Sequence, residues 1–459
     1  MSRAFRFDLG RCTGCHACVL ACANENRLPP GGSWRQVLTF NDRRHPRLPV
    51  FHLSLACNHC ARPACRESCP AGVYARDPAT GAVVSRIERC LGCKYCSWAC
   101  PYDAPRFDAA AGIMGKCDFC QERLRTGLDP ACVTACPTGA LELAEREEST
   151  PEFLPPGFPA APLEPAILFT GAGRTIGAPR MTAPSTPSLD QSLRLAQAER
   201  PAPVITFRSE WALVVFTTMV SLLAALLAGS VLGPLRVGAG WFLGLGMLAA
   251  AVSATHLGRK GRAWRAVWNW RTSWLSREII LFGAFLLLGT AWLATRPDRP
   301  ALGATAIVAG FVTLYIIDRL YQAALRISPW NFHSAHTLLN GLYLSAILMG
   351  TPLLALPAGL VKLGLYLARK SRFRGTGQPL RPWWSLLRLA FGFGIPLAGF
   401  LLDALVPAAA AVVLGDLIDR GEFYQELDVV TPRRQVNRDF QNALRHRTAT
   451  IRERMPDCL

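Results

Sequence analysis

The sequence is poor in charge. Only 18% of its 459 residues are Asp, Glu, Lys or Arg, against about 25% in an average soluble protein. With 51% hydrophobic residues, that shortfall excludes an ordinary soluble enzyme. Acids are scarcer than bases, 32 against 50, which leaves a net charge of +18. The N-terminus lacks a basic segment followed by an apolar run and lacks a twin-arginine pair, so no secretory leader is expected. Long apolar runs are missing before Trp211, and cysteine is missing between Cys136 and Cys458. The chain therefore has two unlike parts, neither a single small core nor a disordered polymer. Length alone allows about three domains.

Sixteen of the 17 cysteines lie between Cys12 and Cys136. They form four groups: Cys12, Cys15, Cys18, Cys22; Cys57, Cys60, Cys65, Cys69; Cys90, Cys93, Cys96, Cys100; and Cys117, Cys120, Cys132, Cys136. Prolines follow Cys69, Cys100 and Cys136, whereas Ala23 follows Cys22. A C-x2-C-x2-C-x3-C-P run is the bacterial ferredoxin pattern, in which a loop wraps three thiolates round one cubane and the fourth ligates another. Zinc sites need neither the third cysteine in register nor the proline, and disulfides do not suit a chain without a secretory leader. Sixteen thiolates match four [4Fe–4S] clusters. His59, Arg62 and Lys94 lie among the ligands and are candidates for tuning potentials. Cys458 reads as an incidental thiol.

Residues 1–148 are expected to form this α+β, ferredoxin-like domain of duplicated folds. Residues 149–208 are dense in proline, including Pro151, Pro155, Pro156 and Pro159, and read as an extended linker. Residues 209–424 read as an all-α membrane bundle of about eight helices, since crossing a bilayer takes about 20 apolar residues. Two stretches, 336–369 and 385–419, are too long for one crossing, and Pro357 and Pro407 mark the expected hairpin breaks. Residues 425–459 form a basic tail. Positive residues cluster at 259–277 and 369–381. With eight crossings both clusters fall on the N-terminal side, which predicts a cytoplasmic cluster domain by the positive-inside rule, a periplasmic one being the alternative. Because these charges flank membrane spans, a nucleic-acid partner is not expected.

A one-electron wire joined to a membrane bundle calls for a lipophilic two-electron, two-proton carrier, and quinol is the usual one. On this topology His256, Arg277, Glu278, Asp318, Arg319, Tyr321, His333 and His336 all fall at helix ends on the cluster-domain side. Ionisable groups there are costly and often functional. Histidine suits proton acceptance near neutral pH, and a carboxylate can relay the proton. No histidine pair lies mid-span, so no transmembrane haem is expected.

The wording around the cysteines is more specific than their spacing. CTGCHAC, CNHCARPACRESCPAG, CLGCKYCSWACPYDAPRF and KCDFC…CVTACPTGAL resemble the electron-transfer subunit of dimethyl sulfoxide reductase, in the molybdopterin oxidoreductase family, over residues 3–145. HLG at 256–258, SWLSREI at 273–279, RLY at 319–321, PWN at 329–331 and GDLIDRGEFY at 415–424 resemble the membrane anchor of that enzyme. The resemblance implies four ligand sets: Cys12, Cys15, Cys18 and Cys136; Cys22, Cys117, Cys120 and Cys132; Cys57, Cys60, Cys65 and Cys100; Cys69, Cys90, Cys93 and Cys96. It implies menaquinol or ubiquinol as the bound substrate, with His256 and Glu278 at its site and Arg319 and Tyr321 beside them. It further implies a separate molybdopterin catalytic subunit, anaerobic respiration and the bacterial inner membrane. The same wire run in reverse, reducing quinone, is the first alternative. A membrane-tethered redox sensor is the alternative of another class.

Overall fold

The computed structural model describes residues 3–45, 48–145, 153–171, 206–295, 299–324, 333–374, 382–426 and 431–454. Residues 172–205 of the proline-rich stretch, the PWN motif and Cys458 lie outside the described residues.

The first domain is built on short strands. β1 (Arg3–Asp8) pairs antiparallel with β8 (Leu141–Glu145) and parallel with β9 (Ile167–Thr170). Between them lie three two-stranded ribbons: β2 (Gln36–Phe40) with β3 (Phe51–Leu55), β4 (Tyr74–Arg76) with β5 (Val83–Ser85), and β6 (Arg106–Asp108) with β7 (Ile113–Gly115). The β1 alternation sends Phe5 and Phe7 inward, as period-two patterning requires. Phe5 meets Phe119 edge-on, and Phe40 stacks on Phe51.

Two segments expected to lie outside this domain complete it. Residues 153–171, inside the stretch read as a linker, supply β9, and Phe158, Leu163, Ile167 and Phe169 enter the core. Proline density marked the backbone as extended, which a strand also is. The tail folds into a helix (α15, Pro432–Arg454). Its Val436 and Phe440 pack against the same core, and Asp439 accepts a hydrogen bond from the Gly157 amide at 2.6 Å. The tail thus returns to the first domain.

The cysteine loops share one backbone device. The residue before the second cysteine of each group is left-handed: Gly14 (φ +70°), His59 (+41°), Gly92 (+72°) and Phe119 (+71°). Such residues reverse the chain so that successive thiols point inward. Short helices follow: α1 (Ala17–Glu25), α2 (Ala64–Ser68), α3 (Tyr95–Trp98), α4 (Gln121–Arg125) and α5 (Ala131–Thr134).

The second part is helical: α6 (Phe207–Leu232), α7 (Ala239–Ala254), α8 (Trp274–Thr295), α9 (Pro300–Ala324), α10 (Thr337–Leu348), α11 (Pro352–Arg374), α12 (Pro382–Leu389), α13 (Ile395–Leu401) and α14 (Leu405–Glu426). Among the described residues five spans are long and apolar enough to cross a membrane: α6, α8, residues Pro300–Gln322 of α9, Pro352–Ser371 of α11, and Pro382–Leu401 through α12 and α13. α7 and α10 are shorter apolar helices. The hairpin breaks fall elsewhere than at Pro357 and Pro407, which both lie inside helices. One break is at Gly350 (φ +68°) and the other at Asp403 (φ +55°). Proline is tolerated near a helix start, so it does not mark a break by itself.

Charge is buried inside this bundle. Lys362 pairs with Asp416 at 3.1 Å, Arg420 with Asp416 at 2.8 Å, Arg388 with Asp419 at 3.0 Å and Arg369 with Asp419 at 2.8 Å. Lys370 meets Glu422 at 2.8 Å. The acids share one α14 face at i, i+3 spacing and tie α11 and α12 to it. Removing one partner of a buried pair typically costs about 3–5 kcal/mol. Asp318 caps α10, accepting from the Thr337 amide and hydroxyl at 2.8 and 2.7 Å and from the Leu338 amide at 2.9 Å. His336 Nδ1 lies 3.1 Å from the same carboxylate.

Candidate functional site

All sixteen clustered cysteines are free thiols. Their electrostatic contacts cross the sequence groups along the four ligand sets that the resemblance implies, although Cys18 also contacts Cys132, Cys117 contacts Cys57 and Cys65 contacts Cys69. Cys12 is in electrostatic contact with Cys15, Cys18 and Cys136. Cys120 contacts Cys22 and Cys132, and Cys117 contacts the same two. Cys60 contacts Cys57, Cys65 and Cys100. Cys69 contacts Cys90, and both Cys93 and Cys96 contact Cys69. In the set containing Cys69 three thiols are buried and Cys93 is half-buried, whereas Cys15 is exposed. Among the described residues no three Cys, His, Asp or Glu side chains close up enough to hold a single metal ion.

The surroundings suit thiolates bound to iron. Desolvation pushes the Cys69 and Cys120 thiols up to about 11 and Cys93 and Cys100 to about 12. Isolated, these thiols would stay protonated; iron bonding is what makes a buried thiolate stable. Backbone amides already aim at sulfur: Val73 at Cys69 (3.3 Å), Gly92 at Cys90 (3.3 Å), Met114 at Cys90 (3.4 Å) and Phe119 at Cys117 (3.4 Å). The buried Tyr102 hydroxyl has no hydrogen-bond partner among the described residues and stands in electrostatic contact with Cys60 and Cys100. The residues present fit four-cysteine iron–sulphur sites.

The three candidate tuners separate. His59 is buried, its Nδ1 accepts from the Val83 amide at 3.0 Å, and burial near Lys116 holds its basicity well below the ordinary range. Lys94 is half-buried, with its ammonium 4.6 Å from the Phe107 ring centre. Arg62 is exposed and pairs with Glu164, away from the sulfurs.

The Cys69 set sits on the bundle. Asn269 donates to the Cys69 carbonyl at 2.8 Å, Ser273 to the Ser68 carbonyl at 3.0 Å and Arg262 to the Cys90 carbonyl at 3.1 Å. The Tyr95 hydroxyl donates to the Leu320 carbonyl of α9 at 2.8 Å, and Trp98 packs on Tyr321. Gly92, Gly112 and Gly258 meet backbone to backbone; a Cβ on Gly258 would stand 2.2 Å from the Gly112 carbonyl oxygen. The loop after α7, carrying His256, is thereby pressed against the Cys90–Cys96 loop.

His256 is half-buried. Its Nδ1–H donates to the Ser253 carbonyl, which leaves Nε2 as an acceptor. Burial, with Lys94 nearby, lowers its basicity despite that hydrogen bond, so the ring is neutral at pH 7. Glu278 is buried and lies in electrostatic contact with Tyr321, whose hydroxyl is 2.9 Å from that of Tyr424. Arg319 is exposed, donates to Gln322 at 2.9 Å and stacks on Trp274. Helix positions two apart face different ways, so Arg319 is parted from Tyr321. His333 stacks on Phe423 and meets His336 at a tilt, and the two histidines line a cavity with Asp318, Tyr321, Arg420 and Tyr424. Sequence reasoning missed Glu210. It is buried where α6 departs from helical geometry (φ −122°, ψ 15°), in electrostatic contact with Lys94 and near Tyr321 and Tyr424. Nothing local distinguishes it from an acid favoured at a helix start.

Residues 48–146 match the 4Fe-4S dicluster domain, and residues 210–362 match the DMSO reductase anchor subunit family. A polypeptide of the anaerobic dimethyl sulfoxide reductase of Haemophilus influenzae is 41% identical over 153 residues, covering 31% of this chain and 74% of that one. The chain belongs to the dimethyl sulfoxide reductase family. It joins that enzyme's iron–sulphur subunit and its anchor in one polypeptide. A sulfite dehydrogenase subunit of Allochromatium vinosum is 36% identical over 158 residues (30% of this chain, 66% of that one). A tetrathionate reductase subunit of Salmonella typhimurium is 40% identical over 140 residues (30% and 55%). Within the dimethyl sulfoxide reductase family, then, this chain is an electron-transfer iron–sulphur protein with its own membrane anchor.

Proposed function

We propose that the chain oxidises quinol, menaquinol in anaerobic respiration, and passes the electrons to a separate molybdopterin catalytic subunit. The four cysteine sets would hold four [4Fe–4S] clusters, which carry electrons singly. The observation that carries this reading is the backbone contact of Gly92, Gly112 and Gly258. It sets the loop with the neutral, half-buried His256 against the cysteine set nearest the bundle. His256 Nε2 accepts one quinol proton, and the buried carboxylate of Glu278 takes the other beside Tyr321. Aromatic and apolar walls from Trp98, Tyr321 and Trp274 exclude water.

The bundle is proposed to cross the bacterial inner membrane eight times, α12 and α13 forming one crossing. Return of α15 to the first domain supports an even number. We place the first domain on the cytoplasmic side by its basic loops, although Arg259, Arg262 and Arg265 also hold carbonyls of that domain. A reporter fused at the C-terminus tests the side.

His256→Ala should stop reduction of the clusters by a short-chain naphthoquinol while dithionite still reduces all four, read by electron paramagnetic resonance. Undiminished reduction by quinol would remove His256 from the site. The likeness to a sulfite dehydrogenase subunit favours a second reading, in which electrons run towards quinone.

A further inference from the structure

Each gap between neighbouring cysteine sets is filled by one buried hydrogen-bond donor. Between the Cys12 set and the Cys22 set lies Arg35, 2% exposed. Its guanidinium is in electrostatic contact with Cys18 on one side and with Cys22, Cys117 and Cys132 on the other. One nitrogen donates to the Ser54 carbonyl (3.3 Å) and hydroxyl (3.1 Å), and that hydroxyl is 3.3 Å from the Cys18 sulfur. The other two nitrogens have no hydrogen-bond partner among the described residues.

Between the Cys22 set and the Cys57 set lies Lys116, 1% exposed. Its ammonium donates to the Cys117 carbonyl at 2.9 Å and to the Val83 carbonyl, and it faces Cys117 on one side and Cys57 and Cys65 on the other. Between the Cys57 set and the Cys69 set lies Tyr74. Its hydroxyl donates to the Cys96 sulfur at 3.1 Å and is in electrostatic contact with Cys65 and Cys69.

A buried cation without a counter-charge is strongly unfavourable. Among the described residues neither Arg35 nor Lys116 forms an ion pair with a carboxylate. The anionic neighbours each has there are thiols of two sets at once. A cubane held by four thiolates is an anion, and each added electron makes it more negative. A nearby cation or a hydrogen bond to sulfur therefore favours the reduced state and raises the potential.

Resting on the four-cluster reading, we infer that Arg35 and Lys116 are positioning residues that set the potentials of adjacent clusters in pairs, and that Tyr74 sets that of one cluster. Arg35 acts on the Cys12 and Cys22 clusters, Lys116 on the Cys22 and Cys57 clusters, and Tyr74 chiefly on the Cys69 cluster. One charge shared across a gap raises both neighbours together, which keeps successive steps close in energy.

The test is a potentiometric titration of the whole holoprotein, followed by electron paramagnetic resonance. Arg35→Met should lower the midpoints of the Cys12 and Cys22 clusters and leave the other two in place. Lys116→Met should lower those of the Cys22 and Cys57 clusters. Arg35→Lys and Lys116→Arg should restore most of the shift. Tyr74→Phe, which deletes one hydroxyl, should lower the Cys69 cluster alone; if a charge-removing variant fails to load iron, the smaller paired shifts in Arg35→Lys and Lys116→Arg decide the matter. Unchanged midpoints with all four clusters present, or lost clusters with unshifted survivors, would overturn the inference. Fewer than four clusters' worth of iron and sulfide in the unsubstituted protein would instead overturn the four-cluster reading.

Discussion

Buried cations have opposite company in the two halves of the molecule. In the bundle, Lys362, Arg369, Arg388 and Arg420 all meet carboxylates of α14 within 3.1 Å. In the cysteine domain, Arg35 and Lys116 meet thiols instead. Each of these four bundle cations has a carboxylate of the bundle as its counter-charge. In the cysteine domain the two cations gain a counter-charge only when the thiols become thiolates. An unmatched buried cation is thus a marker of where a cofactor belongs.

The sharpest way to break this comparison is to remove the iron. Chelation under denaturant-free conditions should unfold residues 3–145, since burial then holds the thiols protonated and leaves two cations unmatched. The helices of 207–426 should survive. Limited proteolysis checks this: cleavage confined to the first domain is expected, and equal cleavage of both halves would erase the distinction. A smaller effect is expected from Asp416→Asn, which strips Lys362 and Arg420 of a shared carboxylate. It should cost about 3–5 kcal/mol of bundle stability, read as a lower unfolding midpoint in detergent, with cluster content unchanged. The smallest is Arg62→Ala. Its ion pair with Glu164 is exposed on both sides, so stability should change by less than about 1 kcal/mol, and every cluster midpoint should stay put.

What could be read from the sequence was what is local. The four loops announce themselves because closely spaced cysteines bracket a left-handed residue. The apolar helices are legible by length. Long-range partners are not. Arg35 lies in no motif, and Lys116 precedes Cys117 as any lysine might, so their shared function appears only when β2, β3 and β5 are assembled round the sulfurs. Glu210 hides for the same reason. Proline density identified an extended backbone at 153–171 but not the β1 edge that receives it. The tail reads only as basic, yet Val436 and Phe440 fall on one helical face and cover β2. Pro357 and Pro407 suggested breaks because proline often ends helices, whereas Pro407 sits in the first turn of α14 and Pro357 is accommodated inside α11. Arg319 and Tyr321 share a motif but not a direction.

The proposed wire begins at the bundle with the Cys69 set and ends at the exposed Cys15. Comparing Cys96→Ser with Cys15→Ser in the otherwise intact protein tests it most directly. Each variant is mixed with reduced naphthoquinol, freeze-quenched, and read by electron paramagnetic resonance, with dithionite reduction as the control. The account predicts that Cys96→Ser blocks quinol reduction of the three remaining clusters while dithionite still reduces them, and that Cys15→Ser leaves quinol reduction of its three remaining clusters at the unsubstituted rate. Rapid quinol reduction in Cys96→Ser, or its loss in Cys15→Ser, would contradict the order.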